Sequence, residues 1–326
     1  VIASFFHRLA AFIIILWLGF GLAACSNFVS GGDNRHNVPL PAATVKALRD
    51  MGSSPGEGMV LRIFKKEEVL EVWKRTGSGQ YKLFKTYEIC TYSGDLGPKF
   101  KEGDRQSPEG FYTITPGLMN PKSNYYLAFN TGFPNKFDRA NGRTGSNLMV
   151  HGDCKSVGCY AMTDASMGEI YALARETFKG GNPSFQVQIF PFRMTTASLV
   201  QNASNQHLDF WKNIKEGYDL FDLTKSPPAW DVCEKRYIFN PAAAGTLDAL
   251  AACPPTIQNA ELEVRKAADA KALSDAASGL QRQAATEAAL KERSQAVSGF
   301  FNTIGTALTG GSQQQAAVEP IPAPVR

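Results

Sequence analysis

Seven short apolar runs between residues 59 and 192 constrain the fold of this 326-residue chain more than any other feature. They read MVLRIFKK, VLEVWKR, YKLFKTYEICTY, GFYTIT, YYLAFNTG, NLMVHG and FQVQIFPF, with Gly, Pro or Asn in the gaps. Runs this short, rich in Val, Ile, Phe and Tyr, suit a pleated surface, so each is expected to form a strand. Arg75 to Gln80, RTGSGQ, has the make-up of a hairpin turn. One helical segment interrupts them, TDASMGEIYALARETF, with Thr163 or Asp164 as N-cap and Gly180-Gly181 as its stop. Strands in succession with a single helix predict a mainly β domain over residues 59–192. Its expected form is a mainly antiparallel sandwich or curled sheet, not a doubly wound α/β fold.

The flanking segments differ in composition. His7-Arg8 precede the apolar run LAAFIIILWLGFGL, which closes on AACS at Ala23 to Ser26. The run falls short of the roughly 20 apolar residues of a membrane span. A lipoprotein signal peptide over residues 1–24 is the expectation, with Cys25 lipidated and the protein facing the periplasm. Ser26 in place of an aspartate points by Gram-negative sorting to the outer membrane, where acyl chains contribute about 0.8 kcal/mol per buried CH₂. Residues 25–58 then read as a Ser/Gly/Asn/Pro-rich tether plus a short helix, VKALRDMGSS. Residues 193–256 read as a helical extension with aromatic residues, residues 257–309 as an Ala-rich helix, and residues 310–326 as a disordered tail.

Charge excludes one function class. Charged residues make up 20% of the chain and the formal net charge is +4. With no basic stripe interleaved with aromatics, the chain is not expected to bind nucleic acid. Cysteine usage is more informative. With Cys25 assigned to lipid, Cys90, Cys154, Cys159, Cys233 and Cys253 remain, and an odd remainder in an exported protein suggests a free thiol. Cys233 and Cys253 flank one Pro-rich segment and are candidates for a disulfide.

Three chemistries compete for NLMVHGDCKSVGCYAMTD, Asn147 to Asp164. A metal centre on His151, Cys154 and Cys159 lacks the second ligand pair that structural zinc uses, so no metal and no other cofactor is expected. A Cys154–Cys159 disulfide is not forbidden by the spacing and would remove the thiol. A nucleophile and base is the third: a nearby histidine accepts the thiol proton and stabilises the thiolate, which attacks acyl carbons. Cys159 is then placed just before the helix, where backbone N–H groups of Gly158, Cys159 and Tyr160 could hold an oxyanion. Gly152 and Gly158 suit a backbone approached closely by substrate. Cys154 is otherwise a buried small residue or redox partner, Asp164 a helix cap and Asp153 a loop acid.

The pattern HG followed by S-x-G-C resembles the active-site motif of the L,D-transpeptidase catalytic domain, the YkuD-like family. The upstream GDRQSPEGFYTI is similar to that family's G-x-x-x-T-P-x-G-x-F/Y strand, and KFDRANGRTGSNLMVHG resembles its YafK-like branch. The resemblance spans the β domain and implies an L,D-transpeptidase-like fold. It also implies Cys159 as acyl-accepting nucleophile and His151 as general base, with Gly152 and Ser156 through Gly158 shaping the pocket. Its implied substrate is a peptidoglycan stem peptide, with transfer to an amine or, alternatively, hydrolysis of peptide or protein links to the wall. A non-enzymatic wall-binding lipoprotein, with Cys154 and Cys159 oxidised together, is a further alternative. Two positions depart from the usual SHGC-I/V-R: Val157 stands for the second histidine and Ala161 for the arginine. Arg143 in NGRTGS is the expected replacement, binding a stem-peptide carboxylate. Tyr125, Tyr126 and Tyr160 are candidates for stacking on substrate, though tyrosines in strands are commonly half-buried packing residues.

Overall fold

A computed structural model describes residues 33–309. The expected signal peptide, Cys25 with its expected lipidation, and the tail at 310–326 lie outside the described residues. The strands are β1 (Met59–Phe64), β2 (Val69–Arg75), β3 (Tyr81–Glu88), β4 (Thr91–Tyr92), β5 (Gly110–Ile114) and β6 (Met119–Asn120). They continue with β7 (Ala128–Asn130), β8 (Met149–His151), β9 (Tyr160–Ala161), β10 (Phe185–Phe190), β11 (Trp230–Cys233) and β12 (Arg236–Phe239). The helices are α1 (Ala42–Asp50), α2 (Lys136–Ala140), α3 (Asp164–Lys179), α4 (Thr196–Gln201), α5 (Leu208–Thr224) and α6 (Ala260–Thr309).

Two five-stranded sheets carry the fold, in the orders β3-β2-β1-β10-β5 and β4-β9-β8-β7-β6. Each is mixed where antiparallel pairing was expected. β1 pairs parallel with β10, and β8 pairs parallel with β9. The reason is connectivity: α3 carries the chain over before β10, and residues 152–159 carry it from the end of β8 back to the start of β9. Leu61, Ile63, Tyr112, Val187 and Ile189 of the first sheet share one buried cluster with Phe129, Val150 and Tyr160 of the second and with Met167, Ile170 and Leu173 of α3. The helix starts where the Thr163 hydroxyl accepts the Ser166 N–H at 3.1 Å, so Thr163, not Asp164, is the cap.

The other face of the first sheet is covered by α5. That is why β1 is buried at every position, Arg62 included, and reads as a nearly continuous apolar run instead of an alternating one. Trp211, Ile214 and Phe221 of α5 are fully buried, and Tyr218 packs edge-on to Phe190 at 5.2 Å between ring centroids. Each such large side chain contributes roughly 1.5–3 kcal/mol through burial.

The 193–256 segment differs from the expected helical extension because it contains the hairpin β11–β12. Tyr237 Oη accepts from the Phe111 N–H at 3.2 Å and from Asn135 Nδ2 at 2.8 Å, which fastens this hairpin to β5 and α2. A Cys233–Cys253 disulfide joins its turn side to the following segment. Among the described residues, 33–266 form one compact unit and 267–309 belong to a second. In that second unit the Ala-rich segment is part of α6, with Leu280, Leu290 and Val297 exposed.

Candidate active site

β8 and β9 lie side by side and parallel, with Val150 opposite Tyr160 and His151 opposite Ala161. One step back, Cys159 faces Met149, whose backbone N–H donates to Cys159 Sγ at 3.3 Å. Residues two apart on a strand share a face, so Met149, His151, Cys159 and Ala161 belong to one side of this strand pair. The intervening loop, residues 152–158, thus brings the thiol back beside the imidazole.

The imidazole is oriented by its neighbour. His151 Nδ1 lies 2.6 Å from the Gly152 carbonyl oxygen, and a carbonyl only accepts, so Nδ1 carries the proton and Nε2 is left as the basic nitrogen. Burial lowers the His151 pKa, opposed by the Gly152 hydrogen bond and Asp153. Burial raises the Cys159 thiol pKa, opposed by the Met149 N–H and the charge of Lys99. The resting pair is therefore neutral thiol and neutral imidazole. In this arrangement Cys159 Sγ donates to the Asn147 carbonyl at 3.6 Å, and among the described residues no hydrogen bond joins it to His151. Apo sites of this kind commonly tighten on binding substrate.

Cys154 is bonded to Cys90, and among the described residues Cys159 is the free cysteine, half-buried. This pairing displaces the Cys154–Cys159 disulfide and the oxidised wall-binding alternative. It also takes one sulfur from the His151/Cys154/Cys159 set considered for metal. The Cys90–Cys154 link and the Cys90 N–H bond to the Ala161 carbonyl, 2.8 Å, tie the 152–158 loop to the strand beyond β9.

Ser156 shapes the loop from inside: its hydroxyl donates to the Cys159 carbonyl at 2.6 Å and accepts the Cys159 N–H at 2.9 Å. The Cys159 amide is thus occupied at rest. The N–H groups of Val157 and Gly158 have no partner among the described residues, and Gly158, at φ +98°, takes a backbone conformation that suits glycine. Among the described residues these two amides, and not that of Cys159, are left without a hydrogen-bond partner in the loop.

Four sequence-based expectations change. Cys159 does not sit at a helix start, because β9 and the Thr163 cap intervene before α3. Gly152 is small for packing: a Cβ there would lie 2.5 Å from Asp164 Oδ1 and 2.9 Å from Tyr126 Cβ, and its N–H is spent on the Tyr125 and Leu127 carbonyls. Its contribution to the site is the carbonyl that orients His151. Tyr160 is fully buried with its hydroxyl on the Pro108 carbonyl at 2.7 Å, which removes it from substrate contact. Arg143 is 7% exposed, paired with Asp138 at 2.9 Å and packed over Phe137 and Phe210, so it braces α2 and is not available to a substrate carboxylate.

The sequence motif GDRQSPEGFYTI did not assign the loop of residues 93–107 a place at the site. The Ser107 hydroxyl donates to the Cys159 carbonyl at 3.0 Å, and Ser93 Oγ lies 3.4 Å from Ser156 Oγ. Lys99, buried and paired with Asp104, is the cation that bears on the thiol. The SPEGFY stretch was the available signal, since it places Ser107 just ahead of β5. Tyr125, half-exposed, lies over His151 at 4.9 Å between ring centroids.

A free cysteine just ahead of β9 and an oriented histidine at the end of the adjacent β8 form a cysteine–histidine pair on a β fold. Residues 57–189 match the family model of the L,D-transpeptidase catalytic domain. YafK of Escherichia coli (strain K12), itself only provisionally described as an L,D-transpeptidase, is 46% identical over 183 residues, 56% of this chain and 74% of that protein. The chain belongs to the YkuD-like L,D-transpeptidase family, in its YafK-like branch. Among solved structures, the K307A form of the helical cell shape determining protein Pgp2 from Campylobacter jejuni is 22% identical, with a TM-score of 0.33 over 46% of this chain and 56% of that one. Bd1075 from Bdellovibrio bacteriovorus is 19% identical, with a TM-score of 0.31 over 53% and 76%.

Proposed function

We propose that the chain is a peptidoglycan L,D-transpeptidase acting through Cys159 and a thioester intermediate. The observation that carries this reading is the free Cys159 thiol on the strand beside a His151 whose Nε2 is kept basic by the Gly152 carbonyl. His151 Nε2 takes the Cys159 proton as Sγ attacks the carbonyl of the stem peptide's L-centre, the resemblance pointing to meso-diaminopimelate. The tetrahedral oxygen faces the free N–H groups of Val157 and Gly158. Collapse expels the next D-residue, whose amine takes the proton from the imidazolium, and leaves the acyl group on sulfur. An acceptor amine, deprotonated by His151, then attacks the thioester and restores the thiol. Water in place of that amine turns the second half into hydrolysis, of a stem peptide or of a wall-linked protein. No metal or organic cofactor enters these steps.

Lipidation of Cys25, with the domain held at the periplasmic side of the outer membrane, completes the proposal and places the site facing the wall. The test is mass spectrometry of intact sacculi after incubation with the chain, against a Cys159→Ala control. New peptide cross-links or D-amino-acid exchange, absent from the control, are expected. Released peptide or protein without new links would assign hydrolysis, and identical sacculi in both samples would reject the proposal.

A further inference from the structure

The loop that touches Ser156 and Cys159 also lines a second depression, of about 410 Å³, outside the catalytic pair. Asp95, Phe100, Gln106, Asn205, Gln206 and His207 form its polar and aromatic walls. Its base is rigid. The buried Lys65 ammonium donates to the carbonyls of Asp95 at 2.8 Å, Gly97 at 2.9 Å and Ser107 at 3.2 Å. The Gln106 amide donates to the first two of these carbonyls and accepts the Asp95 N–H at 3.0 Å. The His207 ring sits against Trp211 and Phe100, and a Cβ on Gly97 would come within 2.7 Å of its Nε2.

What this frame leaves open is chemically specific. Phe100 is 50% exposed. Among the described residues the Asp95 carboxylate, the Gln206 amide and Asn205 Nδ2 have no partner. Lys99 beside them is already neutralised by Asp104. A half-bare aromatic ring rimmed by a carboxylate and two amides suits a neutral polyhydroxylated ring. The C–H face of a pyranose lies on the aromatic face, neighbouring hydroxyls donate to the carboxylate, and an acetamido group pairs with the amides. Because the base beneath the rim is held in place beforehand, the backbone needs little ordering on binding.

We infer that this depression binds the glycan part of the substrate, an N-acetylated hexosamine unit, while Cys159 works on the attached peptide. The inference rests on the peptidoglycan reading above for its substrate, and on the depression alone for its chemistry.

The test is calorimetric titration of the full-length chain with the neutral β-1,4-linked tetramer of N-acetylglucosamine. Saturable binding is expected, weakened about tenfold or more by Phe100→Ala and by Asp95→Asn. Retained melting temperature checks that each variant folds, and Gln206→Ala, at an exposed position, serves if either does not. Absence of saturable binding to the unmodified chain, or equal binding by the variants, would overturn the inference. So would binding of free diaminopimelate that Asp95→Asn abolishes while the tetramer stays inert, since that marks an amine site. Acylation of Cys159 by a free stem tetrapeptide, measured on the same samples, reports on the proposed reaction separately. Its failure beside intact tetramer binding would strike that reaction and leave the sugar site standing.

Discussion

The ionisation state of Cys159 gives the sharpest test of the site's electrostatics. Burial holds the thiol above its ordinary value of 9.0 and holds His151 below 6.5. With each pH unit below the thiol pKa worth a factor of ten, at most about 1% of Cys159 is thiolate at pH 7. Alkylation by iodoacetamide consumes thiolate only, so its rate should be about a hundredfold or more below its limit at pH 7 and climb roughly tenfold per pH unit between 6 and 8. Acylation by substrate needs the neutral imidazole instead, and that form already predominates at pH 7, at roughly three quarters or more. The sign follows: acid protonates His151 and removes the base, so acylation is lost as pH falls through a value below 6.5 and is level above neutrality. His151→Ala should lower acylation by about 10²–10⁴ and leave the slope of the alkylation profile. Stopped-flow alkylation and release of the D-residue, both across pH 5 to 9, provide the two curves. An alkylation rate already flat between pH 6 and 8 would show a resting thiolate–imidazolium pair and refute the neutral-pair argument.

Three stability predictions use other parts of the structure. Gly152→Ala forces a Cβ against Asp164 Oδ1 and Tyr126 Cβ and should cost about 1–3 kcal/mol in urea unfolding; an unchanged midpoint would mean that the loop has slack there. Replacing Cys90 and Cys154 together by serine frees a loop spanning a sequence separation of 64, an entropic loss of up to about 4 kcal/mol. It should also slow acylation, and activity insensitive to the double change would separate this link from the site. Lys65→Met leaves Glu109 buried without its ammonium partner, which should cost roughly 3–5 kcal/mol by chemical denaturation; a neutral outcome would show that Trp211 Nε1 and the Gly97 N–H suffice for that carboxylate.

The long strands were legible because burial on one or both faces leaves a local mark. MVLRIF, apolar but for Arg62, and FQVQIF, apolar at every second position, are buried almost throughout, since α5 covers one face and α3 with the second sheet the other. The helix from Asp164 was legible through its Thr163 cap and its Gly180 stop. The two-residue strands β6 and β9 have no periodicity to detect and exist only through partners distant in sequence. WDVC and RYIF were absorbed into a helical expectation, though a turn at Glu234-Lys235, both at positive φ, makes them a hairpin.

At the site, His151 and Cys159 were legible from type and spacing, because a strand, a Gly-containing loop and a returning strand bring them to one face. The partner of Cys154 was not, since disulfide pairing across a separation of 64 is fixed by sheet order and not by local sequence. Arg143 misled for a related reason. A Gly-flanked arginine looks exposed in sequence, and only the fold shows Asp138, Phe137 and Phe210 enclosing it. Ser107 and Lys65 were silent because their roles depend on contacts with Cys159 and with four groups of the 95–109 segment.

The central claim is that Cys159 carries the acyl group. Intact-protein mass spectrometry of the full-length chain, quenched in acid after mixing with a stem tetrapeptide, tests it most directly. The account predicts an adduct equal to the tetrapeptide less its terminal D-residue and one water, mapping to Cys159 and absent from Cys159→Ala. No adduct on the unmodified chain, or one that persists in Cys159→Ala, would contradict it.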